Sequence, residues 1–272
     1  RLKHSNFSFL EPSCYSLGLG EQKAMHDPAA PNWIGLRTLY LREVRRFTKV
    51  YTQTLLAPVV TTLLFLAVFT LALDGSHRIV AELPFVQFLA PGLIIMAIAQ
   101  NAFANTSSSI MVSKVQGNIV DILMPPFTAF ELQFALVLGG ASRGIAVGLS
   151  VGLAISFFVD IGLHAPLFII FHAVMASIGL SQLGMIGGIW AEKFDHMAVL
   201  TNFVVTPLAF LSGTFYSIQQ LPDAFQAIAH INPFFYMIDG FRYGVIGHAD
   251  GSLVLGLVVM VGTNIILWIV RT

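Results

Sequence analysis

Six runs of about 20 apolar residues dominate this chain: Leu55 to Leu73, Phe85 to Ser107, Ala141 to Val159, Leu167 to Trp190, Ala198 to Tyr216 and Leu253 to Val270. A helix of that length, rising about 1.5 Å per residue, matches a hydrocarbon core of about 30 Å. Lipid offers no hydrogen bonds, so each run must satisfy its own backbone, which a helix does within one segment. With 56% hydrophobic and 10% charged residues and a mean hydropathy of +0.79, a water-soluble globule would have too little polar surface to stay dispersed. The expected fold is therefore an all-α integral membrane protein with six transmembrane helices. The third run has the least definite start. It can begin as early as Leu132, with Gly139 to Gly144 as a bend, and it carries Arg143, the only Lys or Arg inside any run. Near a span end such an arginine snorkels to the head groups or pairs locally; as a lone intramembrane charge it is a functional candidate. Beside it Gly140, Gly144, Gly148 and Gly152 recur every four residues, a small-residue ridge that allows close helix approach.

The formal net charge is zero, so placement of charge carries the information. With a cytoplasmic N-terminus, Arg37, Arg42, Arg45, Arg46, Lys49, Lys114, Lys193 and Arg271 lie inside, and the outer loops keep only Arg78 and Arg242. The positive-inside rule favours that orientation, which puts both termini in the cytoplasm. Residues 1–32 lack the apolar core of a signal peptide and read as a disordered tail before a transmembrane domain at 33–272, with Met25 a candidate natural start. Cys14 is the single cysteine, which excludes a disulfide within the chain. From Trp33 to Tyr51 apolar positions Trp33, Leu36, Tyr40, Val44, Phe47 and Tyr51 recur at helical spacing, and Arg42, Arg45, Arg46 and Lys49 take the other side. This pattern predicts an interfacial helix on the inner leaflet, held by membrane lipids or in contact with a cytoplasmic partner. A nucleic-acid patch is disfavoured on so aromatic a helix.

Two further segments break the run pattern. In Ser113 to Leu132, Val115, Ile119, Ile122 and Leu123 form an apolar stripe, Lys114, Asn118 and Asp121 a polar one, and Pro125–Pro126 ends the helix. Such a short two-faced rod either docks in a groove of another protein or packs on its own bundle. Pro207 to Gly247 is too apolar for a solvated loop and too broken to span. Pro222 opens a short helix, the Asn232–Pro233 step interrupts it, and Pro233 opens a second helix ending near Gly247. Two pieces of about 10 to 14 residues reach only about 15 to 21 Å, so a re-entrant pair dipping from the outer face is expected. On the second piece Asp239 and Arg242 are spaced for a local ion pair.

Polar residues inside the runs are few. Gln100, Asn101 and Asn105 on the second and Asn202 with Thr206 on the fifth either face a water-filled path or hydrogen-bond neighbouring helices. No G-x-x-x-x-G-K-[ST] loop occurs, so the chain does not cradle a nucleotide in the usual way. His164 and His172 have no Cys or carboxylate to complete a metal set and read as interfacial or buried histidines. No G-x-S-x-G elbow occurs either, and no catalytic residue is assigned. An ion- or proton-coupled secondary transporter is the alternative, but such carriers bury acidic relays near the midplane, and none of the six runs carries an acid.

Several stretches together resemble the permease subunit of an ABC-2 type ABC transporter, of the type V exporter architecture and the bacterial drug and lipooligosaccharide exporter branch. They are PLAFLSGTFY at Pro207 to Tyr216, Leu221–Pro222, INPFFYMIDGFR at Ile231 to Arg242, QTLLAPVV at Gln53 to Val60, FLAPGLIIM at Phe88 to Met96 and GNIVDILMPP at Gly117 to Pro126. The resemblance implies a multi-pass protein of the bacterial inner membrane, paired with a second copy of itself and with a separate ATPase subunit. That subunit would carry ATP and Mg; the permease would bind no cofactor. It implies that Gly117, Asn118, Ile119, Val120, Asp121, Ile122 and Leu123 form the coupling helix resting on the ATPase, although the glutamate many relatives carry here is missing. It implies further that the second and fifth spans border a cavity between protomers. The re-entrant pair, with Asn232, Pro233, Asp239 and Arg242, would cap it above a constriction at Leu211, Ser212 and Gly213.

Overall fold

A computed structural model describes residues 32–72, 79–80, 83–120, 124 and 127–270. The tail expected at 1–32 therefore lies, but for Asn32, outside the described residues, as do Arg78 and Arg271. The chain divides at Trp33, and the second unit, Ile34–Thr272, is an α-helical bundle. Helix α1 is Trp33–Thr48, α2 Thr52–Ala72, α3 Phe85–Val115, α4 Ala129–Ser156, α5 Pro166–Trp190 and α6 Phe194–Leu211. Two short helices follow, α7 at Asp223–Ile231 and α8 at Pro233–Ile246, and α9 at Leu253–Ile269 closes the chain. The one pairing of strands described is β1, Ile79–Val80, antiparallel to β2, Leu83–Pro84.

Five of these helices, α2 to α6, are long and apolar enough to cross a membrane. The sixth expected span forms the 17-residue α9, about 26 Å long. The third run needed correction at its start. Thr128 caps α4 by accepting the Glu131 N–H, and the Glu131 carboxylate accepts the Thr128 N–H in return. The helix therefore begins at Ala129 and runs without a bend through Gly139 to Gly144, which moves Arg143 from a span end to the middle of a 28-residue helix.

Prolines explain the irregular turns. Both α2 and α6 contain a π turn, Thr52–Leu56 and Thr201–Val205, and each is followed closely by a proline, Pro58 or Pro207. A proline ring collides with the carbonyl four residues back, here that of Thr54 or Phe203, and the wider turn moves that carbonyl aside. At the far end, Pro222 precedes α7, the Asn232 side chain caps α8 by accepting the Phe234 N–H at 3.1 Å, and Gly247 ends α8 with φ +76°. The expected break at Asn232–Pro233 is thus where the two short helices meet.

Helix α3 is the centre of the bundle, packed against α2, α4, α5 and α8. Its residues from Phe88 to Ala99 are almost all buried. Close approach depends on small residues. Gly144 of α4 lies against Ala102 and the Ile98 carbonyl, and Gly140 against Thr106 and Ser181. On α5, Gly184 lies on the Phe103 carbonyl and Gly188 on that of Ser107. In lipid, where water drives little association between apolar helices, such contact is the main cohesive term. Gly184→Ala would push a methyl into the Phe103 backbone, and overpacking of this kind costs about 1–3 kcal/mol. Thermal unfolding in detergent should show a clear loss for Gly184→Ala and almost none for Gly262→Ala, whose new Cβ meets nothing within 4 Å.

Candidate functional site

Three polar regions lie along α3, and the first fastens α1. Helix α1, expected as an interfacial amphipathic helix held by lipids or in contact with a cytoplasmic partner, buries Leu39, Glu43 and Phe47. The Glu43 carboxylate, 1% exposed, accepts from Ser109 Oγ at 2.8 Å and Arg42 Nη2 at 3.0 Å and lies 3.1 Å from Arg46 Nη2. Arg46 donates onward to the Asn105 carbonyl at 2.6 Å and to Asn105 Oδ1 at 3.0 Å. Burial pushes the Arg46 guanidinium below its ordinary value, and Glu43 beside it pushes back. Arg45 and Lys49 remain exposed. Where α3 ends, Lys114 Nζ donates to the carbonyls at the end of α5, those of Ile189 and of the capping residue Ala191. Gly117 then turns with φ +74°, a conformation that favours glycine. Asn118 and Val120 are exposed, Ile119 is half-buried, and Val115, Val120 and Met124 leave a naked apolar surface. Asp121, Ile122 and Leu123 lie outside the described residues.

The second region is a cavity of about 500 Å³ between α2, α3 and α4. Gln53, Thr54, Thr61, Gln100, Asn101 and Arg143 supply its polar wall, and Leu93, Met96 and Phe65 its apolar one. Arg143 Nη2 donates to Asn101 Oδ1 at 3.3 Å, and Asn101 Nδ2 donates to the Ala97 carbonyl. Asn105, the third amide expected on this face, does not line the cavity; it is fully buried and holds Arg46. Asn202 and Thr206 do not line it either. Asn202 is exposed on the outer side of the α6 π turn, and Thr206 is half-buried.

At the opposite end the loop after α6, the α7–α8 pair and the turn after α8 share one buried network. Asn232 Nδ2 donates to Ser212 Oγ at 2.8 Å and to the Leu208 carbonyl at 3.1 Å, which fixes Pro233 and the start of α8 against the end of α6. The fully buried Arg242 donates to the Gly213 carbonyl at 2.5 Å and stacks over the Phe88 ring at 3.9 Å. Leu211 is half-buried, and Gly213 turns with φ +78°. Asp239 and Arg242 attract each other as expected, and a second carboxylate, Asp250, shares Arg242. Asp239 accepts the N–H groups of Asp250 and Gly251 at 2.7 and 3.0 Å, and the carboxylate nearest Arg242 is that of Asp250, at 3.9 Å. Asp250 also accepts from Ser217 Oγ at 2.8 Å and the Ile218 N–H at 3.2 Å, with His248 Nε2 at 3.1 Å.

Sequence reasoning missed Glu43 and Asp250. Glu43 had one available signal, its i, i+3 spacing to Arg46 in a basic helix. For Asp250 there was only an acid–glycine step after Gly247, an ordinary turn signal. His172 is buried, with Nδ1 2.9 Å from the Phe168 carbonyl and its ring against Gly240, and so serves α5–α8 packing.

A multi-pass helical bundle with a polar cavity among its spans, an exposed apolar connector at one end and two short helices tied over the other describes the membrane part of a transporter. The chain belongs to the ABC-2 type transporter family, whose family model matches residues 35–246. It is similar to the inner membrane transport permease YadH of Escherichia coli K12, with 36% identity over 229 residues that cover 84% of this chain and 90% of the relative. Nodulation protein J of Sinorhizobium fredii is 24% identical over 174 residues, covering 64% of this chain and 66% of the relative. Nodulation protein J of Rhizobium leguminosarum bv. viciae is 35% identical over 89 residues, 32% of this chain and 34% of that one. The chain is thus a multi-pass inner-membrane permease of an ABC transporter, the transport component rather than a catalytic one, and the family implies an ATPase partner subunit.

Removing the side chain of Asp250 takes away one of two carboxylates that act on the buried Arg242 and leaves Ser217 Oγ and the Ile218 N–H without their acceptor. A buried donor left unsatisfied costs about 1–3 kcal/mol, so Asp250→Ala should unfold well below wild type in a detergent melt. Asp160→Ala, at an exposed side chain, should melt with wild type.

Proposed function

We propose that this permease is the passive, membrane-spanning half of an ATP-driven exporter that moves an amphipathic, lipid or glycan substrate out of the cytoplasm or the inner leaflet. The cavity bounded by α2, α3 and α4 carries the reading: Gln100 and Asn101 present amides to a space in the apolar core, where polar surface is expensive unless it faces water or cargo. A second copy of the chain completes the path. What supports this is the exposure of α2 and α6: 11% and 17% of their most apolar windows are buried within the chain, against 72% for α3. Asn202, exposed on α6, then faces the partner copy, with Thr206 one turn on. In this arrangement α9 is the sixth span, both termini are cytoplasmic, and Arg42, Arg45 and Lys49 meet inner-leaflet phosphates.

ATP and Mg belong to the separate ATPase, and this chain binds no cofactor. Nucleotide-driven closure of two ATPases moves the Gly117–Leu123 segments together, and α3 carries that motion into the bundle. Helices α7 and α8 form a re-entrant cap, and Leu211, Ser212 and Gly213 the constriction beneath it. Opening requires the ties from Asn232 and Arg242 to shift.

Val120→Asp changes an exposed side chain and should leave folding intact, yet lower co-purification with the ATPase subunit tenfold or more, equivalent to about 1.4 kcal/mol. Undiminished co-purification would contradict the coupling role. Asp239→Asn leaves one acceptor oxygen for two backbone N–H groups. Export in inverted vesicles should fall while membrane insertion stays normal; unchanged export would remove Asp239 from the gate.

A further inference from the structure

Arg143 has no acid. It lies 14 residues into the 28-residue α4, beside Ser142, which hydrogen-bonds Tyr40 of α1 at 3.0 Å, so its guanidinium sits level with the basic helix α1. Among the described residues no carboxylate pairs with it: Glu43 is taken up by Arg42, Arg46 and Ser109, and Glu131 by the α4 cap. The one hydrogen bond described for its guanidinium goes to Asn101 Oδ1, and its Nε is buried with no partner. A guanidinium has five donors in a planar fork. The nearby Arg46 adds like-charge repulsion rather than relief. A charge without a counter-ion that lines a cavity marks a place for a ligand of opposite sign.

The surroundings indicate what does. The cavity that Arg143 lines joins amides and hydroxyls from Gln53, Thr61 and Gln100 to an apolar wall from Met96 and Phe65. Its volume of about 500 Å³ suits a head group with part of a chain. The arginine fork matches the geometry of an oxyanion, which it binds through two parallel N–H bonds. We propose that this cavity is a binding site for the oxyanion head, phosphate or carboxylate, of an amphipathic molecule, with Arg143 as its counter-ion and the apolar wall holding the adjoining chain. This deepens the export reading by naming the class of cargo, and it rests on that reading for the meaning of the site but not for its existence.

The test uses the full chain without its ATPase, in micelles of an uncharged maltoside detergent, with binding read by native mass spectrometry. Dodecyl phosphate, dodecyltrimethylammonium and inorganic phosphate are the probes. Wild type should take up one dodecyl phosphate per chain, at least tenfold more tightly than the cationic amphiphile. Arg143→Gln should lose tenfold or more, and Arg143→Lys, which keeps the charge, should lose less. Inorganic phosphate that competes as well as dodecyl phosphate would assign the site to a soluble oxyanion, whereas weak competition assigns it to a lipid-like one. Equal uptake of anionic and cationic amphiphiles by wild type would overturn the proposal whatever the variants do, as would undiminished binding by a folded Arg143→Gln. Because no ATPase is present, a failure of ATP-driven export would leave these results standing.

Discussion

Close packing of helices through small residues is the interaction on which the rest of this structure depends. In a lipid solvent the apolar side chains of a span gain little by leaving their surroundings, so cohesion comes from van der Waals contact and a few interhelical hydrogen bonds. Glycines on α4 and α5 let both helices approach the α3 backbone, and α3 becomes the element that meets every polar region. Phe88 near its start lies under Arg242, Gln100 and Asn101 midway face the cavity, and Asn105 and Ser109 hold α1. Lys114 at its end secures α5, and the exposed connector that follows turns at Gly117, three residues later. One helix therefore touches the connector, the cavity and the network around Arg242 alike.

Buried polar groups set the second constraint. At each end of the bundle a buried carboxylate lies beside an arginine, and side chains and backbone from neighbouring elements add hydrogen bonds to both. Glu43 with Arg46 fastens α1; Asp250 with Arg242 fastens the turn after α8. A buried charge left without partners is expensive, so such groups fix one arrangement more strictly than apolar contacts do. Arg143 departs from this rule, because the described residues around it supply amides and open space but no acid.

Much of the architecture is legible in the residues. Length and hydropathy mark the spans, since lipid imposes both, and Pro222, Asn232–Pro233 and Gly247 mark the short helices because their backbone restrictions are local. The start of α4 was harder to place. Hydropathy alone does not show that Glu131 closes a capping box with Thr128, so the helix extends further back than the apolar run and Arg143 lies mid-helix. The surroundings of Arg242 were only half legible. Helical spacing points to Asp239, whose carboxylate does act on Arg242 but also accepts two N–H groups from the turn at Asp250 and Gly251, and Asp250 as a second carboxylate is a tertiary fact. Asn105 likewise shows only an amide in an apolar run, and its pairing with Arg46, 59 positions away, is a tertiary fact.

Reconstitution with and without the ATPase subunit tests the central claim most directly, by following movement of a fluorescent phosphate-bearing amphiphile across the vesicle membrane. The expected result is transport that requires both proteins and ATP and that is indifferent to an imposed proton or sodium gradient. Transport by this chain alone, driven by such a gradient with no nucleotide present, would contradict it.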